Sequence, residues 1–158
     1  MQVRKASMAD AALLSGLCMH VQQLHADAYP ELFKPPTEDF AVPFFEMFLE
    51  NPAVHIFIAE DADGTAAGYV VCQVIHREES AFTFARDYVH IDQISVEPEF
   101  QRKGAGSALM AKVDALAQEV GAAQITLDSW MFNTHAHRFF ERHGYEVFNL
   151  RMWKEIQQ

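Results

Sequence analysis

The chain has 158 residues, about the length of one folded domain, and half of them are hydrophobic, which excludes the polar composition of a disordered chain. Its formal net charge of −10 argues against a nucleic-acid partner, because nucleic-acid binding depends on clustered lysine and arginine. No apolar run approaches the length of a membrane-spanning helix, and the first residues lack the apolar core of a signal peptide. We therefore expect a single domain over residues 1–158 that is cytoplasmic and has no membrane partner.

The first eighty residues predict a strand, two helices and a β-hairpin. Residues 3–6 predict a short strand, and Ser7 with Asp10 resembles a capping box at the start of a helix. The helix has an apolar face whose residues recur at helical spacing: Leu13, Leu14, Leu17, Cys18, Val21 and Leu24. Three prolines end it, and a second helix is predicted near residues 43–50. Two β-rich runs around the turn at residues 61–65 predict the hairpin.

The second half of the chain alternates strands with helices. Residues 88–96 predict a strand, and the helix after it ends at Gly121, a favourable residue just past a helix C-terminus. The apolar positions that predict this helix are Leu109, Val113, Leu116 and Val120. Residues 123–130, 133–143 and 145–153 then predict a strand, a helix and a final strand. This order predicts an α+β fold, an α/β sandwich with helices packed on a mixed sheet.

The cysteines and histidines do not predict a metal site. Cys18 lies in a helical pattern and Cys72 in a strand pattern, so we expect buried, reduced thiols. His135 and His137 lie two residues apart on a predicted helix and would point to different faces, with no cysteine or carboxylate to complete a ligand set. We expect no metal.

The segment QRKGAG, residues 101–106, stands where a predicted strand gives way to a helix. The first N–H groups of a helix lack partners within it, and the helix dipole places partial positive charge there. Gly104 and Gly106 let phosphate oxygens approach the backbone, and Arg102 and Lys103 add positive charge. A pyrophosphate would fit this turn, and a solvated basic turn whose glycines serve helix packing is the alternative. The glycine spacing differs from that of a P-loop and of the dinucleotide-binding fingerprint.

The same segment resembles the acetyl-CoA pyrophosphate loop of the GNAT superfamily of N-acetyltransferases, written Gln/Arg-x-x-Gly-x-Gly/Ala. The flanking segments ISVEPEF and NTHAHRFFERHGYE resemble that family's neighbouring segments in the expected order, and the similarity is strongest over residues 88–146. The resemblance implies a mostly antiparallel central sheet with helices on both faces. It also implies a splayed V between the strand before the loop and the next strand.

The resemblance further implies an acyltransferase that moves an acetyl group from acetyl-CoA to a primary amine by direct attack in a ternary complex. A non-catalytic acyl-CoA-binding sensor or interaction module is the alternative. The acidic charge favours a cationic acceptor, which would be a small-molecule amine or a peptide. Residues 24–33 lie in a region that shapes the acceptor site in this family, and Trp130 would either line that site or pack structurally. Because family members often dimerise, the resemblance also admits a homodimer.

By the same resemblance, the strand before the loop carries a β-bulge whose unpaired backbone groups bind the pantetheine arm of the cofactor. The corresponding residues are Ile94, Ser95 and Val96, and an N–H near Ile94 would polarise the thioester carbonyl. The pyrophosphate would lie against the loop and the start of the helix, which comprise Gln101, Arg102, Lys103, Gly104, Ala105, Gly106 and Ser107. Asn133 would reach the pantetheine or cap its own helix.

The sequence departs from the family at one catalytic position, because Phe140 stands where family members commonly place a tyrosine acid. Its ring would still wall the thioester site, while water or Tyr145 would protonate the departing thiolate; a core aromatic is the alternative for Tyr145. An amine is mostly protonated at neutral pH, so its attack needs a base. His90 is the first candidate, and Asp92 would share its strand face and bind the ammonium. The alternatives are a solvated strand-end residue for His90 and a loop hydrogen bond for Asp92.

Overall fold

The computed structural model describes residues 1–156. Its helices and strands are, in chain order, β1 (Gln2–Lys5), α1 (Ala11–Ala28), α2 (Val42–Glu50), β2 (Val54–Glu60), β3 (Ala66–Arg77), β4 (Arg86–Val96), α3 (Ala105–Glu119), β5 (Gln124–Leu127) and α4 (Thr134–Arg142). This order is the predicted one as far as α4. Met1–Asp128 forms one compact unit, and the residues from Ser129 onward form a second. Within residues 1–156, no helix has both the length and the apolar character needed to cross a membrane.

Within the described chain, the strands form one five-stranded sheet in the order β1-β2-β3-β4-β5. Neighbouring strands are antiparallel from β1 to β4, whereas β4 and β5 are parallel. Their pairing ends at Ile91 and Leu127, although β4 continues to Val96. The sheet is therefore mixed and mostly antiparallel, and it opens between β4 and β5, as the resemblance implied.

Helices cover both faces of the sheet in the first unit. The core on one face joins α1 and α2 to alternate positions of β2 and β3, and it includes Leu14, Leu17, Phe45, Ile56, Ile58, Tyr69 and Val71. Phe57 points to the opposite face, where the Lys112 ammonium of α3 lies 5.6 Å from its ring centroid. The predicted arrangement of helices on both faces is confirmed.

The start of α1 is held by the predicted capping residues. The carboxylate of Asp10 accepts hydrogen bonds from the backbone N–H and the hydroxyl of Ser7, at 2.7 and 2.9 Å. Arg4 on β1 donates two further hydrogen bonds to the same carboxylate and holds its pKa down, at about 2. Two residues of the predicted apolar face, Leu13 and Leu24, are exposed instead.

Two sequence predictions about strands are wrong. β5 spans only Gln124–Leu127 rather than residues 123–130, because its pairing with β4 ends there. Residues 145–156 are described and contain no strand, although residues 145–153 have a strand pattern. A strand forms only beside a neighbour that completes its backbone hydrogen bonds, so a sequence pattern alone does not produce one.

A β-bulge in β4 lies next to a glycine that lets two strands approach closely. The β3–β4 register shifts between Val71 and Cys72, which leaves Asp92 as the extra residue of β4. Further along the same ladder, Gly68 lies opposite Val96. A Cβ atom on Gly68 would overlap the carbonyl oxygen of Ser95 and lie 2.9 Å from the Cα of Val96. The path of β4 at this point therefore depends on the absence of a side chain.

We expect Gly68→Ala to destabilise the protein by about 1–3 kcal/mol, because backbone must move to admit the new methyl group. The free energy of unfolding can be measured by urea denaturation. Gly16→Ala is the matched control, since a Cβ atom there would have nothing within 4 Å. In a helix this control should be neutral or stabilising by roughly 0.5–1 kcal/mol. Equal effects of the two substitutions would contradict the steric argument.

Candidate active site

The opening between β4 and β5 is lined by backbone polar groups of β4. Glu97 N–H donates to the carbonyl of Ala67 at 2.9 Å, which marks a hydrogen-bonded pair of the β3–β4 ladder. Such pairs alternate in antiparallel strands, so Ser95 directs its backbone groups to Tyr69 on β3. Ile94 and Val96 then direct theirs to the β5 side, beyond the point at which β5 pairing ends. A ligand in this V would meet an extended backbone with polar groups pointing toward it.

The segment after β4 turns sharply into α3. Arg102 has φ 62° and Gly104 has φ 90°, and the first hydrogen bond of the helix runs from Ala108 N–H to the carbonyl of Gly104 at 2.9 Å. The N–H groups of Ala105 and Gly106 precede that bond, so they point out of the helix N-terminus. The N–H groups of Gln101 and Lys103 donate within the turn, to the carbonyls of Pro98 and Phe100, so the donors that face outward are those of the helix start.

The charge around this turn favours an anion. Arg102 and Lys103 are exposed, and the first turn of α3 carries no acidic residue. The N-cap residue Gly104 has no side chain with which to cap α3, and the helix dipole places partial positive charge in front of it. Gln101 links the turn to the V, since its side-chain amide donates to the carbonyl of Val96 at 3.4 Å. The chemistry of this donor set fits a phosphate group.

His90 and Asp92 lie on one face of β4 on either side of a shared neighbour. Gln73 on β3 is the register partner of His90, and its side-chain amide donates to the Asp92 carboxylate at 2.9 Å. Because register partners have their side chains on the same face, Gln73 connects the two residues across the bulge. His90 is half-buried and Asp92 is exposed, so both can be reached from solvent.

A hydrogen bond to a residue of β5 holds the imidazole of His90. Its Nδ1 lies 2.8 Å from the hydroxyl oxygen of Thr126, which is its register partner in the parallel ladder. A hydroxyl can donate or accept, so this contact orients the ring and leaves Nε2 on the other side of it. His90 therefore sits at the base of the V, within the last paired segment of β4 and β5.

A buried tyrosine supports β4 next to the bulge. Tyr69 on β3 is fully buried, and its hydroxyl donates to the side-chain carbonyl of Gln93 at 2.8 Å. Burial raises the pKa of Tyr69 well above its usual value, so the hydroxyl stays protonated. Its ring packs edge-on against Phe45 of α2, with ring centroids 5.6 Å apart. This pair fixes Gln93 immediately after Asp92.

Neither cysteine offers a thiolate. Cys18 and Cys72 are free and buried, as the sequence predicted. Burial raises the pKa of Cys18, while burial and then the negative charge of Asp92 raise that of Cys72 to about 12. Both side chains therefore remain neutral thiols at neutral pH.

The second unit carries the remaining predicted residues. Asn133 caps α4, since its side-chain oxygen accepts a hydrogen bond from the N–H of Ala136 at 3.2 Å. That cap does not use its side-chain nitrogen. Phe140 is buried, and its ring centroid lies 5.9 Å from that of Tyr145. Among residues 1–156, no group of three or more His, Cys, Asp or Glu is placed to hold a metal ion.

Sequence reasoning missed the supporting residues Gln73, Thr126, Tyr69 and Gln93. Each contacts a candidate residue, or its neighbour on β4, through strand register rather than through sequence proximity. The irregular stretch between the strand patterns of β3 and β4 hides that register, because its length does not say how the strands align. A polar residue inside an apolar run, as Gln73 is, was the available signal.

We expect Thr126→Val to change the environment of the His90 imidazole, since the isosteric valine removes the hydrogen-bonding hydroxyl. Two-dimensional ¹H–¹⁵N NMR of the ring nitrogens would measure this, and the Nδ1 shift should move more than the Nε2 shift. Thr65→Val, in the exposed β2–β3 turn, is the matched control. Unchanged ring shifts in Thr126→Val would show that the hydroxyl does not hold the ring.

Known protein sequences resemble this chain over most of its length. The sequence profile of the family described as Acetyltransferase (GNAT) matches residues 19–145. The uncharacterized N-acetyltransferase YhfO of Bacillus subtilis (strain 168) is 28% identical over 147 residues, covering 92% of this chain and 90% of that protein. An aminoglycoside N(6')-acetyltransferase type 1 of Stenotrophomonas maltophilia is 26% identical over 149 residues, covering 91% of this chain and 85% of that protein.

Solved structures share the fold. The tetramutant of the BH1408 protein from Bacillus halodurans has a TM-score of 0.94 at 18% identity, covering 99% of this chain and 100% of that one. The aminoglycoside N-acetyltransferase AAC(6')-Iy in complex with CoA has a TM-score of 0.72 at 20% identity, covering 99% of this chain and 95% of that one. At these identities the likeness is one of fold.

Proposed function

The chain belongs to the GNAT acetyltransferase family, and from this premise we propose that it transfers an acetyl group from acetyl-CoA to a primary amine of a cationic small molecule or peptide. One observation carries the proposal. The V that opens beyond Ile91 and Leu127 precedes, along the chain, a helix N-terminus whose first backbone donors have no partner within the helix and can bind an anion. An extended pantetheine arm and a pyrophosphate need those two features side by side.

Acetyl-CoA would be held mainly by the main chain of the first unit. Within residues 102–107, the N–H groups that point out of the helix start would bind the pyrophosphate, whereas that of Lys103 donates to the Phe100 carbonyl at 3.3 Å. The side chains of Arg102 and Lys103 would add charge. The groups that β4 directs away from β3, at Ile94 and Val96, would bind the pantetheine as an added strand binds. The structure of the family member AAC(6')-Iy with CoA supports coenzyme A as the ligand class. Asn133 and Phe140 remain proposed cofactor contacts.

Residues at the base of the V would supply the proton transfer and the charge stabilisation that the reaction needs. The amine nitrogen would attack the thioester carbonyl carbon, forming the C–N bond while the C–S bond breaks and its electron pair leaves with sulfur. His90 would accept the proton that the amine loses, directly or through water, through the ring nitrogen that Thr126 does not hold. The N–H of Ile94 would stabilise the charge on the carbonyl oxygen. Water or Tyr145 would protonate the thiolate, which is a tolerable leaving group because a free thiol has a pKa of about 8.5.

The acceptor is proposed to be cationic. Asp92 presents an exposed carboxylate beside His90, and Gln73 donates to it from one side only. One relative is an aminoglycoside N(6')-acetyltransferase, and the net charge of −10 on this chain is in keeping with a cationic acceptor. Aminoglycosides, polyamines and lysine-containing peptides therefore form the acceptor panel of choice.

The binding half of the proposal is tested by calorimetric titration of the protein with acetyl-CoA. We expect Gly106→Val to weaken binding by at least about tenfold, because the side chain would occupy the space through which phosphate approaches the helix start. Gly16→Val, an equal change on an exposed helical position of α1, is the control and should bind as the unchanged protein does. No uptake of acetyl-CoA or CoA at millimolar concentration would remove the proposal.

The catalytic half is tested by the release of free thiol from acetyl-CoA across the acceptor panel. We expect His90→Ala to lower kcat by about 10²- to 10⁴-fold, the range of general-base catalysis, while the affinity for acetyl-CoA stays within about twofold. His135→Ala, at an exposed position of α4, controls for the loss of a histidine. Equal losses of kcat and affinity, or no loss, would exclude His90 as the base.

Tight acetyl-CoA binding without turnover on any acceptor would favour the sensor alternative, to which the missing tyrosine hydroxyl at Phe140 also points.

A further inference from the structure

A pocket lies between the C-terminal half of α3 and the strands β1 and β2, on the sheet face opposite to α1 and α2. Its volume is about 240 Å³. Pockets for drug-sized ligands measure roughly 300–1,000 Å³, so this one has the size for a smaller molecule. The residues that line it all belong to the first unit, and they are Lys5, His55, Phe57, Lys112, Ala115, Leu116 and Glu119.

Strand register assembles the floor of this pocket. Lys5 on β1 is the register partner of Phe57 on β2, and His55 precedes Phe57 by two residues, so the three side chains share one face. The rings of His55 and Phe57 are stacked, with centroids 6.5 Å apart. Phe57 and Leu116 are almost fully buried, so the floor is apolar and firmly packed.

The rim of the pocket carries positive charge that the protein does not pair. The Lys112 ammonium lies over the ring of Phe57, 5.6 Å from its centroid. Within residues 1–156, neither the Lys5 nor the Lys112 ammonium forms an ion pair, although Glu119 lines the same pocket. Two of the five lysines of a chain with a net charge of −10 therefore line one small pocket.

The imidazole of His55 reports the charge in this pocket. Burial lowers its pKa, the positive charge of Lys5 lowers it further, and the carboxylate of Glu119 raises it. The other groups near it are the Lys112 ammonium and the thiol of its register partner Cys72, which stays neutral. At neutral pH the imidazole is therefore uncharged and offers one N–H donor.

We propose that this pocket binds a small organic carboxylate with a flat apolar body, whose charged group pairs with Lys5 and Lys112. Two ammonium groups and the carboxylate of Glu119 leave a net charge of +1, which a monoanion neutralises. Both lysines can donate charge-assisted hydrogen bonds to a carboxylate. The floor of Phe57 and Leu116 favours an apolar body over an inorganic anion. None of these residues belongs to the candidate active site, so the proposal does not depend on the transferase activity.

Titration of the ¹⁵N-labelled full chain with benzoate, followed by NMR at pH 7, tests the binding. The amide resonances of residues 55–57 and 112–119 should shift and reach saturation at millimolar benzoate. Benzamide has the same ring without the charge, so it should bind at least about tenfold more weakly. An anion beside His55 stabilises the protonated imidazole, so benzoate should raise the pKa of His55 and bind more tightly as the pH falls through it. Benzamide should leave that pKa unchanged.

Substitutions of opposite sign test the assignment of the charges. We expect Lys112→Gln to weaken benzoate binding by at least about fivefold, whereas Lys34→Gln, at an exposed lysine outside the pocket, should change it by less than about twofold. Glu119→Gln should tighten binding by about two- to fivefold, because a like charge is removed. Asp114→Asn, at an exposed position of the same helix, is its control. Since all four side chains are exposed, each variant should keep the circular dichroism spectrum of the unchanged protein.

Four outcomes would overturn the proposal. The first is the absence of saturable shifts at tens of millimolar benzoate, and the second is equal affinity for benzoate and benzamide. The third is a set of shifts centred on residues 101–107, or displacement of benzoate by CoA, since either would assign the anion to the candidate active site. The fourth is an equal effect of Lys112→Gln and Lys34→Gln.

Discussion

The parallel pairing of β4 with β5 stops after four residues, and the candidate site depends on that stop. A backbone group that is withdrawn from water without a partner costs about 1–3 kcal/mol, so a sheet normally continues its ladder wherever it can. Here the ladder ends at Ile91 and Leu127 while β4 runs on to Val96. The Val96 carbonyl beyond that point accepts a hydrogen bond from the Gln101 side chain. The other groups that β4 directs away from β3 there can be satisfied by water or by a ligand that offers complementary groups along an extended chain. The opening therefore defines the shape of ligand that the site can accept.

The opposite edge of β4 holds the strand in place. Gly68 admits the main chain of Ser95 and Val96 at a distance that a side chain would prevent. Just before these residues, the bulge at Asp92 shifts the register between β3 and β4 by one residue. Tyr69 then fixes Gln93 from the core. Because β4 is firmly packed on the β3 side, its polar groups on the other side have a defined position. This is the preorganisation that binding and charge stabilisation require.

Local sequence signals predicted the parts of the molecule that depend on local physics. The turn and helix start at residues 101–106 depend on glycine conformation and helix ends, and the β2–β3 hairpin depends on its short turn, so both were predictable. The pairing of Gln73 with His90 was not, because it depends on how two strands align across an irregular connection. The length of β5 also depends on its neighbour rather than on its own residues.

The candidate base depends on a short strand. A four-residue strand holds few hydrogen bonds, yet β5 carries Thr126, which orients His90, and it forms one wall of the V. The pairing of β5 with β4 therefore sets both where the V opens and how the His90 imidazole is held.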